Sequence, residues 1–506
     1  MNVPRAWPTL ADRYRAVLGA VGAVLFVAAA AMLAPLLALP FYPTETVYWP
    51  SFAGPAGLAV AAGAYLVAGP GRGTRHRLQV EDSAVVVVLG WLVTFAACAA
   101  PFWLGRQAGL LGAFYESVSG WTTTGLSVLA VEATPQVFLL YRSLMQWVGG
   151  LGFAVLMASA VLGPWAYGLY QAEGRSELLL PHIMRTSKLI LGIYGGLTVA
   201  GTLAYTATGI GFFHALNHTM CALSTGGFST RAASLGAFNS PAAEVITIAL
   251  MVIGTTNFGV IFLLMRRRYK EAWRHGEVRL FAGGLLIVAT LLRLLAGGGG
   301  RSVAFQAVSA LSTSGFATVD FAAWSDGAML IMTLAMIVGG QVNATAGGLK
   351  QYRVYLALKS VAWGIRRLWR PRAAVTPLII HQMGQKRAVS ADETLANNGF
   401  VLLYLVTYAV GVAVLAGLGY SLRDAAFEFA SSLSTVGLST GITGAHSPPA
   451  LLAVQMAGMI LGRLEFLVVF AGLAKLGRAL PRLTTRRGRA AHPPRVNSPG
   501  PGNTLP

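Results

Sequence analysis

Charge is what this 506-residue chain has least of. Asp, Glu, Lys and Arg make up 11% of it, with only 18 acids against 38 bases. With 55% hydrophobic residues and a mean hydropathy of +0.61, that scarcity excludes a string of soluble domains and points to a membrane protein. Cysteine is nearly absent too. Cys98 and Cys221 lie far apart in or beside apolar segments, so there is no disulfide framework, no CxxC and no Cys/His metal spacing, and both read as small buried hydrophobes. No nucleophile-base pair or metal cluster suggests an enzyme. The net charge of +20 does not indicate nucleic acid binding, because the bases cluster beside apolar spans rather than on one helix with aromatic partners.

What the chain has in abundance is glycine, sixty residues of it, and four of them stand fourth in a repeated six-residue phrase. Thr122-Thr123-Thr124-Gly125-Leu126-Ser127, Ser224-Thr225-Gly226-Gly227-Phe228-Ser229, Ser312-Thr313-Ser314-Gly315-Phe316-Ala317 and Ser434-Thr435-Val436-Gly437-Leu438-Ser439 each sit between long apolar segments. Six residues before the glycines stand Ser119, Cys221, Ser309 and Ser431. A single copy would fit close packing of membrane helices. Four copies suggest a four-fold ring, in which Thr-x-Gly turns aim backbone carbonyls at a cation, as in potassium pores.

The chain in order supports a repeated unit. Arg5, Arg13 and Arg15 precede an apolar run from Ala16 to Leu39, longer than the ~7–15-residue core of a signal peptide and read as a retained first helix. A loop without Lys or Arg, Pro40 to Ser51, leads to a second span to Ala68 and then Arg72, Arg75 and Arg77, which places the N-terminus and that Arg-rich loop in the cytoplasm. Four units follow, each a span, a half-helix, a Thr-x-Gly run and a second span: 84–104, 109–121 and 135–162; 189–208, 212–223 and 241–265; 280–295, 303–311 and 326 onward; 399–418, 424–433 and 448–474. Ten full spans and four re-entrant half-helices are expected, an all-α polytopic membrane protein with four helix-pore loop-helix repeats around a central pore. The domains read as a two-helix hairpin over 1–80, pore repeats over 81–185, 186–276, 277–375 and 376–476, and a basic, disordered cytoplasmic tail over 477–506. Basic residues between the repeats, including Arg175, Arg185, Lys188, Arg266, Lys359 and Arg387, all fall on the cytoplasmic side of this layout.

The half-helices would point their partially negative C-termini at the pore centre, favouring a cation. Hydroxyls and carbonyls without carboxylates suggest a weakly hydrated monovalent ion, best potassium. The ion-binding candidates are Thr123, Thr124, Gly125, Thr225, Gly226, Gly227, Thr313, Ser314, Gly315, Thr435, Val436 and Gly437, with potassium held by filter backbone carbonyls. The third unit's second helix is interrupted by Gly339-Gly340-Gln341-Val342-Asn343-Ala344-Thr345-Ala346-Gly347-Gly348-Leu349-Lys350, poor helix material that reads as a gate below the filter or as a packing kink. It is no phosphate loop, since Leu349 separates the last glycine from Lys350. Arg463 interrupts the last span, and residues two apart do not face each other on a helix, so Glu465 does not explain it. It reads as a positive barrier facing the pore below the filter, with Lys350 nearby. Asn257 fits either a comparable polar point or an interhelical hydrogen bond. His214 and His218 have metal-ligand spacing but lack a third ligand and read as packing residues, and Trp121 reads as a brace for the first filter run.

These runs, with Gln146-Trp147-Val148-Gly149-Gly150, Thr345-Ala346-Gly347-Gly348-Leu349-Lys350 and Gly462-Arg463-Leu464-Glu465, resemble the bacterial Trk/Ktr/HKT potassium-transporter family over Ala16 to Lys475. The two lead-in helices resemble its TrkH type more than the shorter KtrB type. The resemblance implies the fold of the potassium-transporter superfamily, a homodimer with a pore in each protomer, a bacterial inner-membrane location and a cytoplasmic nucleotide-binding regulator of the TrkA kind. The chain has no GxGxxG fingerprint, so that regulator would be a separate polypeptide and no organic cofactor is expected here. Family members that accept sodium carry Ser where this chain has Gly125, which favours potassium. The family's loop usually reads Gly-Ser-Thr where this chain has Asn343-Ala344-Thr345. The function expected is a potassium-selective translocating subunit. The alternatives are a sodium-permeable or weakly selective cation transporter and a non-conducting regulatory scaffold.

Overall fold

The computed structural model describes residues 10–72, 80–152, 183–297, 299–369, 377–464, 466 and 468–475. It opens with α1 (Leu10–Leu33) and α2 (Trp49–Ala68). These helices meet at Gly22 and Gly63, where a Cβ on either would stand 2.8–2.9 Å from the other's carbonyl oxygen. Small residues let helices approach closely where lipid offers no hydrophobic gain.

Four units follow. The first is α3 (Val80–Leu104), α4 (Leu110–Trp121) and α5 (Gln136–Leu151). The second is α6 (Ile183–Ala207), α7 (Phe212–Leu223), α8 (Pro241–Thr255) and α9 (Phe258–Met265), with the short α10 (Tyr269–Arg274) behind it. The third is α11 (Gly276–Leu295), α12 (Gly300–Leu311) and α13 (Asp326–Val338), followed by α14 (Gln351–Leu368) and strands β1 (Leu378–Gln382) and β2 (Gln385–Val389). The fourth is α15 (Ala391–Gly417), α16 (Leu422–Leu433) and α17 (Pro449–Leu464). The half-helices α4, α7, α12 and α16 are each 12 residues long, about 18 Å, and cannot cross a hydrocarbon core of about 30 Å.

The second helices are not the continuous spans that hydropathy suggests. Among the described residues six helices are long and apolar enough to cross a membrane, and α8 and α9 form a pair bent by 110°, so the expected span 241–265 is broken at Thr256 and Asn257. In the third unit α13 stops at Val338 after 13 residues. The expected continuation of α5 to Leu162, Arg175, Glu465 and the tail from 477 lie outside the described residues. Three of these helices carry a glycine within two residues of their end, and each glycine presses on the last carbonyl of its own unit's half-helix. A Cβ at Gly149, Gly254 or Gly462 would overlap the carbonyl oxygen of Trp121, Leu223 or Leu433 respectively.

The β1–β2 hairpin was not expected from hydropathy. Its strands pair antiparallel from Leu378 opposite Val389 to Gln382 opposite Gln385, and the turn residues Met383 and Gly384 both have positive φ, 48° and 78°, as a type I′ turn requires. Leu378 and Ile380 bury against Leu356 of α14, which anchors the hairpin. Outside the bundle, Leu58, Leu203, Leu286, Leu330 and Leu402 are 58% to 73% exposed, the apolar belt of a lipid-facing surface. The lead-in helices are tied to the first unit by Glu45, whose carboxylate accepts the N–H groups of Gln136 and Val137 at 2.8 Å each, a negative charge at the positive end of α5.

Candidate ion pore

Each half-helix ends in the same backbone turn. The N–H of Thr123, Thr225, Thr313 and Thr435 bonds back to the carbonyl three residues earlier, and that of Thr124, Gly226, Ser314 and Val436 to the carbonyl five earlier. This is a Schellman ending with Thr where glycine is usual. The four threonines hold φ of 51–56°, a conformation costing a β-branched residue on the order of 1–3 kcal/mol. Two residues on, Gly125, Gly227, Gly315 and Gly437 take φ of 75–97°.

Those glycines close a ring. A Cβ at Gly125 would overlap the carbonyl oxygen of Gly226, one at Gly315 that of Val436 and one at Gly437 that of Thr124, while one at Gly227 would lie 2.5 Å from that of Ser314. Each unit thus touches the next and the fourth returns to the first. All twelve candidate residues, Thr123, Thr124, Gly125, Thr225, Gly226, Gly227, Thr313, Ser314, Gly315, Thr435, Val436 and Gly437, lie in this ring. On one side, the glycines and Ser127, Ser229 and Ser439 line a cavity of about 540 Å³.

Two further columns brace the ring. The Ser119 hydroxyl donates to Leu126 O at 2.6 Å and accepts from Gly125 N–H at 3.1 Å. Ser309 donates to Phe316 O at 2.7 Å, and Ser431 accepts from Gly437 N–H at 3.0 Å. The second unit has Cys221 at that position, and a thiol bonds weakly. There Gln146 of α5 reaches across, donating to Gly226 O at 2.5 Å and accepting from Phe228 N–H at 3.1 Å. Nine residues before each glycine stand Glu116, His218, Gln306 and Glu428. Glu116 accepts from Ser127 Oγ and Val128 N–H at 2.6 Å each, His218 Nε2 meets Ser229 Oγ at 2.9 Å, Gln306 donates to Thr318 Oγ1 at 3.2 Å, and Glu428 holds Ser439 Oγ and, at 2.9 Å, Thr440 N–H. Glu116 also pairs with Arg142 at 3.2 Å, and that guanidinium lies 3.9 Å from the centre of the Phe228 ring. The sequence reading missed both Gln146 as a brace and this acidic and polar column. Aligning the four copies one turn further upstream would have exposed the column.

On the far side of the threonines lies the non-helical stretch from Gly339 to Lys350. Gly347 N–H donates to Thr313 Oγ1 at 2.8 Å, and Thr345 Oγ1 contacts Leu223 O, Gly254 O and Thr225 Oγ1 at 3.1, 2.9 and 3.3 Å. A Cβ at Gly347 would overlap Thr435 Oγ1. The loop is therefore pressed against three of the four threonines. Thr123 Oγ1 and Thr435 Oγ1 are buried without a hydrogen-bond partner. At its edges, Gln341 N–H bonds Thr255 O at 3.2 Å and Gln341 Oε1 accepts from Asn257 N–H at 2.9 Å, while Gln351 donates to Gly339 O at 2.9 Å and its N–H to Gly340 O at 2.8 Å. Asn343 O accepts from Phe258 N–H at 3.1 Å, and Gly348 packs on Gly339.

Arg463 does more than present charge. Nη1 donates to Thr345 O at 2.9 Å and Nη2 to Gly149 O at 2.6 Å, so its fork joins the loop to the end of α5. Lys350 is the residue before α14, with φ 75°. Asn257 resolves as the cap of α9 at the break, Oδ1 accepting from Gly259 N–H at 2.7 Å. His214 Nδ1 meets Thr230 Oγ1 at 2.7 Å, and His218 Nδ1 meets His214 O at 2.8 Å. Trp121 is fully buried, its carbonyl against Gly149, and Cys98 and Cys221 are buried free thiols.

The family model described as "TrkH: Cation transport protein" matches residues 62–282 and 290–476. The "Trk system potassium uptake protein TrkH" of Halomonas elongata is 31% identical over 478 residues, covering 90% of this chain and 97% of that protein. Its namesake in Escherichia coli is 31% identical over 418 residues, 78% of this chain and 86% of the relative. The crystal structure of the potassium transporter TrkH from Vibrio parahaemolyticus superposes with a TM-score of 0.79 at 28% identity, covering 92% of this chain and 98% of that one. The expected fold class is thus met, and this multi-pass chain belongs to the TrkH family of cation transport proteins, a family of transporters and not of enzymes.

Proposed function

We propose that this chain is the potassium-selective, ion-translocating subunit of a Trk-type uptake system, with the Thr-x-Gly ring as filter and the loop Gly339–Lys350 as gate. The observation that carries this is the closed ring, in which four glycines of matching geometry bring the carbonyls of Thr124, Gly226, Ser314 and Val436 against neighbouring turns. Such close contact leaves the ring no room for side chains, so an ion threading it meets backbone carbonyls and threonine hydroxyls. Four half-helix C-termini converge there and favour a cation. The scarcity of carboxylates in the ring favours K⁺ over a divalent ion.

The loop's contacts with Thr225, Thr313 and Thr435 support a closed gate, and the Arg463 fork supports a latch on it in addition to a cationic barrier. Asn343 and Ala344 replace the family's Gly-Ser, yet Asn343 takes φ 55°, the left-handed geometry a glycine would supply. We assign the termini to the cytoplasmic side on the distribution of the bases, and a bacterial inner-membrane location on the family resemblance. A homodimer, the domain boundaries given above and a separate nucleotide-binding regulator follow the family resemblance.

The test is uptake into proteoliposomes of the purified chain, comparing K⁺, Rb⁺ and Na⁺ under an imposed potential, with Gly437→Ser beside it. Uptake favouring K⁺ and Rb⁺ and altered by the substitution is expected. Equal Na⁺ uptake would establish a weakly selective pathway instead, and no uptake even with a regulator added would leave the scaffold reading.

A further inference from the structure

The gating loop is held from a direction that the pore does not require. Val342 N–H donates to Glu277 Oε1 at 2.9 Å. The other carboxylate oxygen, Oε2, meets His275 Nε2 at 2.8 Å, and His275 Nδ1 accepts from Met383 N–H at 3.0 Å. The last bond fixes the ring's proton. Because Nδ1 faces an N–H donor, it is an acceptor, and Nε2–H is the donor to Glu277. His275 and Glu277 are both buried, 2% and 3% exposed.

Met383 is the first turn residue of the β1–β2 hairpin, 41 positions beyond Val342 in the chain. Its side chain packs with Val260, Leu263 and Ala272 of α9 and α10 and lies against Gly259, where a Cβ would stand 2.7 Å from Met383 Cε. Helix α9 starts at the break whose Asn257 and Phe258 bond Gln341 and Asn343. The hairpin turn therefore bears on loop residues 341–343 by two routes, one polar and one packed. Its second strand is exposed from Gln385 to Ala388, while its first is seated on α14 through Leu378 and Ile380, so a change in that seat is carried to the turn.

We infer that His275 and Glu277 are positioning residues that couple the β1–β2 hairpin to the loop Gly339–Lys350, so that the seat of the hairpin sets how firmly Val342 is held. The inference rests on the reading of that loop as the gate. A carboxylate that served only to cap Val342 would need neither a histidine of fixed tautomer nor a backbone donor from a hairpin to orient that histidine.

His275→Gln and His275→Asn cut the line at opposite ends. A glutamine amide reaches the Nε2 position and can still donate to Glu277 but gives up Met383, whereas an asparagine oxygen can accept from Met383 but gives up Glu277. Two readouts on the full-length chain decide the matter: amide hydrogen exchange of the peptide containing Val342, and Rb⁺ uptake in proteoliposomes. Both variants are expected to speed exchange at Val342 roughly tenfold, the factor that loss of one ordinary hydrogen bond supplies, and to raise uptake. Adding Glu277→Ala to either should bring no increase beyond Glu277→Ala alone. Wild-type exchange in His275→Gln, with faster exchange in Glu277→Ala, would reduce Glu277 to a local cap and overturn the coupling. Arg463→Lys, which keeps the charge but frees the loop from the Arg463 fork, separates the two readings. If it raises uptake and the histidine variants do not, the coupling fails and the gate stands. If exchange rises throughout and uptake rises in none, the loop is not a gate.

Discussion

At Gly125 a side chain meets two obstacles at once, a φ of 95° and the carbonyl oxygen of Gly226. Gly125→Ser can fit only by widening the ring, which admits a differently hydrated ion. The expected result is a roughly tenfold loss in the K⁺/Na⁺ uptake ratio, equivalent to about 1.4 kcal/mol of discrimination. Unchanged selectivity would remove Gly125 from the filter. Arg463 can be tested as latch or as barrier. Arg463→Ala removes two hydrogen bonds of a charged donor, each worth about 1.5–3 kcal/mol, and Rb⁺ uptake should rise. Arg463→Lys keeps the charge but lacks the fork that spans Thr345 O and Gly149 O, so higher uptake in that variant too would identify the latch. The glycines and Arg463 were legible in the sequence because each breaks a local rule: a glycine ends each half-helix turn and a base interrupts an apolar span. Gln146 was not, since its partners Gly226 and Phe228 belong to another unit and only packing of α5 against α7 brings them together.

The half-helix is an element whose end is written in its sequence: all four stop at the expected residue, although α12 and α16 begin at Gly300 and Leu422, ahead of the expected 303 and 424. Which of its faces turns toward the residues that follow the ring glycine is not so written. Glu116, His218, Gln306 and Glu428 take equivalent places through the same helical rotation about each half-helix axis, with three different chemistries. The first of these is costly to disturb. Glu116→Ala leaves Arg142, 2% exposed, without its carboxylate, and should destabilise the protein by about 3–5 kcal/mol, read as a lowered melting temperature in detergent. Glu116→Ala combined with Arg142→Met should recover most of that loss, and a double variant no better than the single would show that the pair is not the source. The broken second helices and the β1–β2 hairpin escaped hydropathy for related reasons. Residues 241–265 stay apolar across a 110° bend, and the Met383-Gly384 turn lacks the Asn-Gly or Asp-Gly signature of its type.

In the proposed function the four units share one ion path, so a bound ion should stabilise the whole molecule and not one unit. Potassium at about one hundred times its dissociation constant would contribute about 2.7 kcal/mol. The melting temperature is therefore expected to rise with K⁺ and Rb⁺ at constant ionic strength, to rise less with Na⁺, and to lose that distinction in Gly437→Ser. A melting temperature indifferent to the cation would count against a resident site in the ring. By itself the sequence determined the membrane class, the four-fold repetition, the half-helices and the glycines of the ring, because hydropathy, length and permitted backbone angles are local properties. The tertiary structure decided which carbonyl each glycine faces, how Arg463 and Gln146 cross between units, and that a histidine and a glutamate join a distant hairpin to the loop. Those contacts depend on how separate helices rotate and pack, and no local pattern encodes that.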